Sequence, residues 1–236
     1  MGFTTQSQEI GRLYSEITSK GYRSLAVTAC NPGEGASSLA RALAQRCLLS
    51  GQSALLVDLN LYRPSLTPLL QTHPKHELEK LFPAPQLMGL KDRPIALTGV
   101  AAPNSRDALN KLRKPGMLEQ AIECWHQDFD VVIFDTSPLN RINANNVPAE
   151  RAAAACDSTL LLVLSGKTSE AQVIEGVCRL KTAGANIGGC VLNDRYNPSL
   201  KNELLREVQR LGGRFEWLSA RLKKFIDNNR LLTLDI

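Results

Sequence analysis

Five apolar, β-rich runs recur along the 236-residue chain, SLAVTA, SALLVDL, DVVIFDT, STLLLVL and IGGCVLN, and amphipathic helical patterns separate most of them. Within each run the hydrophobicity is continuous rather than alternating, as expected of strands covered on both faces. Such strands interleaved with helices predict an α/β fold: a mainly parallel twisted sheet with helices on both faces, in a three-layer sandwich. The pattern is weakest over 72–116, rich in Pro, Lys and Asp, where PIALTG predicts a short strand and the rest reads as loops and short helices. No internal repeat, low-complexity tract or linker interrupts the pattern. One domain over 1–236 is therefore expected, with a helix within 1–20 and a basic amphipathic tail over 213–236.

In an open α/β sheet, ligands bind beyond the carboxyl ends of the strands, so the residues that follow each run are the candidates for function. The first run leads into ACNPGEGASSLARALA, which reads as a glycine turn and then a helix. A phosphate-binding loop of the form G-x-x-x-x-G-K-[ST] cradles phosphates with backbone N–H groups, reaches the β and γ oxygens with its lysine and holds magnesium with its hydroxyl. Gly35 and Ser37 sit in that register, but Ala36 stands at the lysine position and Cys30 at the first glycine position. Ser37 and Ser38 open the helix, whose first amides form a natural anion site. The second run continues as LLVDLNLYRPSL and brings Asp58 and Asn60 beside that turn. The third, FDVVIFDTSPL, ends at Asp135, in the pattern of a strand-end aspartate that holds magnesium through water; the fifth ends VLNDR, with Asn193 placed to read a base. Each alone has a plain reading as a turn or cap residue. In order, at matching strand ends, they make a candidate nucleotide site.

Composition narrows the class without naming it. Forty-three per cent apolar and 22% charged residues are ordinary for a globular protein, and no segment approaches the run of apolar residues that a membrane span requires. The N-terminal MGFTTQSQEIGRLYSEI lacks a basic region followed by an apolar one, so a cytoplasmic protein is expected. Cys30, Cys47, Cys124, Cys156, Cys178 and Cys190 are scattered without ligand spacing and read as reduced, mostly buried small side chains. The net charge is +5, and residues 201–230 hold 8 Lys/Arg against 4 Asp/Glu. That permits an anionic partner, but nothing beyond charge points to nucleic acid. His73, His76 and His126 form no triad or metal pattern, and SGKTS around Lys167 lacks the first glycine of a second phosphate loop.

The series VTACNPGEGASSLARALA, LLVDLNLYRP, LTGVAAPNSRDAL, FDVVIFDTSPL and LLLVLSGKTSEAQV…GGCVLN resembles the cytoplasmic domain of the bacterial tyrosine kinases of capsule and exopolysaccharide export. These BY-kinases belong to the deviant P-loop ATPases, with the Par and Min positioning ATPases, and the resemblance covers roughly residues 5 to 212. It implies a P-loop NTPase-like fold, ATP or ADP with Mg2+ as cofactors, and residue roles. Gly33, Glu34 and Gly35 would line the phosphates, Ser37 would ligate magnesium and Ser38 would touch the α-phosphate. Asp58 and Asp135 match the family's two metal-site aspartates, with any residual catalysis resting on them, and Asn193 matches a base-contacting asparagine. EIGRLYSEI is similar to the family's N-terminal E-x-x-R-x-x-R oligomerisation helix at Glu9 and Arg12, with Ser15 at the third position.

The departures fall on the catalytic parts. Ala36 replaces the lysine, Asn60 the second aspartate of D-x-D, and Tyr62 the usual arginine; the tyrosines are Tyr14, Tyr22, Tyr62 and Tyr196, with no C-terminal cluster. Phosphoryl transfer is mostly positioning and charge stabilisation, and loss of one preorganised donor typically costs roughly a hundred- to a thousand-fold in rate. The resemblance thus implies a catalytically impaired BY-kinase-like accessory of exopolysaccharide export, with weak or no nucleotide binding. Its expected partners are an inner-membrane polysaccharide co-polymerase or a kinase-competent paralogue, with a homo-oligomer also in view. It would be cytoplasmic, and peripheral at the inner membrane through that partner. The alternative is a Par/Min-type positioning ATPase that switches oligomeric state with ATP, although Asn31 stands where those proteins carry a signature lysine.

Overall fold

In the computed structural model, residues 7–68, 82–90, 93–103, 105–141 and 146–195 are described, with the single positions 204, 208, 222 and 226. The chain forms two compact units, Met1–Arg195 and Tyr196–Ile236. In the second unit Leu204, Val208, Leu222 and Ile226 are helical, with Val208 and Ile226 buried. The rest of the expected 213–236 tail lies outside the described residues.

The first unit is built on one eight-stranded sheet in the order β3-β4-β5-β2-β6-β1-β7-β8. Its strands are β1 (Ser24–Ala29), β2 (Ala54–Leu59), β3 (Leu66–Pro68), β4 (Gln86–Leu90), β5 (Arg93–Val100), β6 (Val131–Thr136), β7 (Ser158–Leu164) and β8 (Ile187–Asn193). The helices are α1 (Gln8–Ser19), α2 (Ala36–Leu49), α3 (Arg106–Leu112), α4 (Met117–Trp125), α5 (Ala149–Ala155) and α6 (Glu170–Thr182). The five expected strands are β1, β2, β6, β7 and β8, and they run parallel with their neighbours; β5 is the strand expected at PIALTG. Only β3–β4 and β4–β5 pair antiparallel.

The continuous apolar runs resolve into two cores, one on each face of the sheet. Leu55, Val57 and Leu59 of β2, Val132 and Phe134 of β6, and Leu161 and Val163 of β7 pack beneath α3–α6. Ala54 and Leu56, Val131 and Ile133, and Leu160 and Leu162 point the other way, into the cluster closed by α1 and α2. Successive strand side chains face opposite sides, so a run buried on both faces has to be apolar at every position. β8 departs from that expectation: it is the edge strand, half-exposed along its length, with Leu192 72% exposed.

Local capping sets the helix starts. Ser7 accepts from the Ile10 amide at the start of α1, and Ser169 with Gln172 forms a reciprocal capping box on α6. α2 begins differently, at Gly35 in a left-handed conformation with no side-chain cap, which leaves its first amides open. Among the described residues, no helix is long and apolar enough to cross a membrane.

Candidate nucleotide site

The site lies where β1, β2, β6 and β8 end. Parallel register between β2 and β6 sets Asp58 beside Asp135, and register between β1 and β6 sets Val27, shortly before the glycine turn, beside the same aspartate. The turn between Ala29 and α2 carries Gly33 at φ 82° and Gly35 at φ 107°, values that side-chain-bearing residues rarely adopt. Two such positions fold the backbone into a cup. No hydrogen bond with another described residue engages the amides of Gly33, Glu34, Gly35, Ala36 or Ser37. Open amides at the positive end of a 14-residue helix are an arrangement suited to an anion.

On one side of the cup, Ser37 Oγ donates to Asp135 Oδ1 at 3.0 Å and accepts from Asn60 Nδ2 at 3.3 Å. Asp135 is 1% exposed, and its Oδ2 is buried with no partner. Burial, and then the charge of Asp58, push its carboxyl up to about 8. Asp58 is also fully buried and raised by burial, but three backbone amides oppose the shift: Asn60 N at 2.9 Å on Oδ1, and Ser65 N at 2.7 Å and Leu66 N at 3.1 Å on Oδ2. The amide-rich member of such a pair keeps the charge, so Asp135 carries the proton when the site holds no cation.

Magnesium fits this arrangement. A buried carboxylate oxygen without a partner, next to a serine hydroxyl at a helix N-terminus, is a hard-oxygen donor set suited to that ion. Among the described residues no group of three or more His, Cys, Asp or Glu could hold a metal by itself, so ligand oxygens and water would complete the coordination. Asp58, with both oxygens engaged by its own loop, shapes the chain between β2 and β3 and supplies charge rather than an open ligand position.

The opposite wall is tied more closely than the sequence suggests. Glu34 is 2% exposed, its carboxylate turned into the protein: Oε1 accepts from Asn31 Nδ2 at 2.8 Å and Thr168 Oγ1 at 2.6 Å, while Oε2 has no partner. Asn193 Nδ2 donates to the Glu34 carbonyl at 2.7 Å. Asn31 Oδ1 in turn accepts from Asn140 Nδ2 at 2.8 Å and Gln172 Nε2 at 3.4 Å. The expected residues Gly33, Glu34, Gly35, Ser37, Ser38, Asp58, Asp135 and Asn193 thus gather at one end of the sheet, with Glu34 offering its amide and Asn193 engaged with the loop itself. Glu9 and Arg12 lie on the exposed side of α1. Sequence reasoning missed the braces Asn31, Asn140, Thr168 and Gln172; the polar residues just after β7, within SGKTSEAQ, were the available signal.

No protein-family profile matches the chain. Among curated proteins it is 28% identical over 185 residues to the tyrosine-protein kinase YwqD of Bacillus subtilis, covering 73% of each chain. It is 27% identical to the tyrosine-protein kinase etk of Escherichia coli over 72% of its own length. The chain is a relative of the bacterial tyrosine kinases. It is also 25% identical to the succinoglycan biosynthesis transport protein ExoP of Rhizobium meliloti, and it spans 22% of ExoP and 23% of etk. Among solved structures, the kinase domain of Escherichia coli ETK superposes with a TM-score of 0.59 at 21% identity, over 78% of this chain and 71% of that one. A cobyrinic acid a,c-diamide synthase from Mycobacterium smegmatis, solved with an ATP analogue and magnesium, superposes at 0.51 with 19% identity, over 72% of each chain. These structural likenesses establish the P-loop NTPase-like α/β fold.

Proposed function

We propose that this protein is a kinase-like component of bacterial exopolysaccharide assembly that binds a nucleotide without transferring its γ-phosphate efficiently. The observation that carries the reading is the pairing of open loop amides and the unpartnered Asp135 oxygen with Ala36 where a cation belongs. The amides would hold phosphates, and Ser37 and Asp135 would hold magnesium. Bound magnesium would neutralise phosphate charge; the chain's own part is to orient the phosphates and exclude water around a nearly dry carboxylate pair. With alanine at position 36 no side chain there stabilises charge moving onto the β/γ bridge, so binding outlasts turnover.

Kinship with ExoP, a biosynthesis transport protein by name, supports action through a membrane-embedded polysaccharide partner or a kinase-competent paralogue. The chain would then sit on the cytoplasmic side of the inner membrane by docking, with α1, through Glu9 and Arg12, as the face for copies of itself. The Par/Min alternative is disfavoured by Asn31, whose side chain is committed to Glu34, Asn140 and Gln172 of its own protomer.

Calorimetric titration with ATP and ADP, with and without magnesium, tests the reading when followed by a tyrosine phosphorylation assay on the same preparation. Magnesium-dependent binding that weakens on Asp135→Ala, with phosphorylation at background, is the expected result. Absence of binding at millimolar ligand would remove the nucleotide part. Robust phosphorylation would remove the impairment.

A further inference from the structure

Resting on the nucleotide reading, we propose that Arg41 is the cation of this site, and that its placement makes the site a holder of nucleoside diphosphates and monophosphates rather than triphosphates. Arg41 lies on α2, and its guanidinium returns along the helix to the first turn, where Nη2 donates to Ser38 Oγ at 3.3 Å. Side chains on a helix lean toward its N-terminus, so a residue at this position reaches the open amides from the flank. That bond is the only one the guanidinium makes among the described residues, and it has no ion pair there. A half-buried guanidinium carries five donors in a planar fork, and here most of them are unused. Its charge also bears on both buried aspartates, lowering Asp58 and Asp135 against their burial.

A lysine at position 36 would extend from the loop toward the β and γ oxygens, whereas the loop amides cradle the α and β phosphates. Arg41 is anchored on Ser38 in the first helical turn, beside that cradle. The side-chain cation of the site would therefore be Arg41, held at Ser38, and not a residue extending from position 36. A γ-phosphate would add charge where alanine at position 36 extends no cation, leaving bound magnesium alone to answer it. A ligand ending at its β- or α-phosphate meets both the amides and the guanidinium.

Titrations of the full chain with AMP, ADP and ATP, each with and without magnesium, test this on wild type, Arg41→Ala, Arg41→Lys and Ala36→Lys. Wild type is expected to bind ATP no more tightly than ADP. Arg41→Ala should weaken AMP and ADP alike by about tenfold or more, the scale of one charge-assisted phosphate contact, with Arg41→Lys recovering part of the loss. Ala36→Lys should raise ATP affinity relative to ADP by about tenfold, returning the preference to the γ end. Circular dichroism of each variant keeps loss of fold separate from loss of contact. Wild-type binding indifferent to Arg41→Ala, or a wild-type preference for ATP, overturns the role of Arg41 and leaves the nucleotide reading standing. No binding of any nucleotide by folded wild type overturns both.

Discussion

Ser37 makes two bonds that an occupied site would have to exchange, one to Asp135 and one from Asn60. An aspartate at position 60 would put a third carboxylate beside Asp58 and Asp135; asparagine instead donates to the serine and adds no charge. Against the lysine and the second aspartate that the resemblance implies, Ala36 and Asn60 carry one cation and one anion fewer, and the two differences offset each other electrostatically. The cost of burying Asp135 remains, and it fixes a pH dependence. Its carboxyl titrates at about 8 in the folded protein against an ordinary 3.8. A group whose folded value is raised contributes most to stability below the unfolded value, and that contribution is lost as pH rises to the folded one. Ligand-free protein should therefore lose stability between about pH 4 and pH 8 through this residue. Asp135→Asn, which preserves shape and can still accept from Ser37, should melt above wild type at pH 8.5 by a margin that shrinks or vanishes at pH 5. Thermal unfolding of both proteins at the two pH values checks this, and an equal margin at both would remove Asp135 as the titrating group.

At the scale of elements, the loop before α2 is held by the ends of other strands. Thr168, just after β7, donates to Glu34 Oε1 and accepts from the Leu164 amide, while Asn193 at the end of β8 donates to the Glu34 carbonyl. Thr168→Val keeps the shape and removes the hydroxyl, leaving a buried carboxylate one partner poorer. A loss of about 1–3 kcal/mol in denaturant unfolding is expected, with weaker phosphate binding as the loop loosens. Unchanged stability would mean that Asn31 alone suffices to hold Glu34. These braces explain which parts of the fold were legible. Strands buried on both faces announce themselves by continuous hydrophobicity, and the residues at their carboxyl ends follow by position, which is why Asp58 and Asp135 could be named; Asn193 ends an equally continuous run, IGGCVLN, although β8 is a half-exposed edge strand. β3 and β4 could not: they are short and antiparallel, and Pro68 and Gly89 interrupt them. The braces are polar residues in loops, whose pairing depends on strands adjacent in space and far apart in sequence. Asn31 and Asn140 are 109 residues apart, and Glu34 and Thr168 are 134 apart.

At the scale of the whole molecule, a site that is costly when empty should stabilise the fold when filled. The open amides and the Arg41 guanidinium have donors to spare, the Asp135 oxygen is buried without a partner, and a bound phosphate with its metal would engage all three. Binding restricted to the folded state adds RT ln(1 + [L]/Kd), about 2.7 kcal/mol at a hundredfold excess over Kd. For a chain of this size that corresponds to a rise of roughly 5–10 °C in melting temperature. The dependence on ligand separates this from ordinary salt effects. ADP with magnesium should give the full rise, ATP with magnesium no more than ADP, and sulfate at matched ionic strength much less, because only the nucleotides engage the cradle and the metal position together. The rise should also depend on Asp135 when magnesium is present and on Arg41 whether or not it is. Equal shifts for sulfate and ADP would reduce the site to a general anion hole at the head of α2. A shift with ATP well above that with ADP would return the molecule to the ordinary nucleoside triphosphatases, with some group other than residue 36 meeting the γ-phosphate.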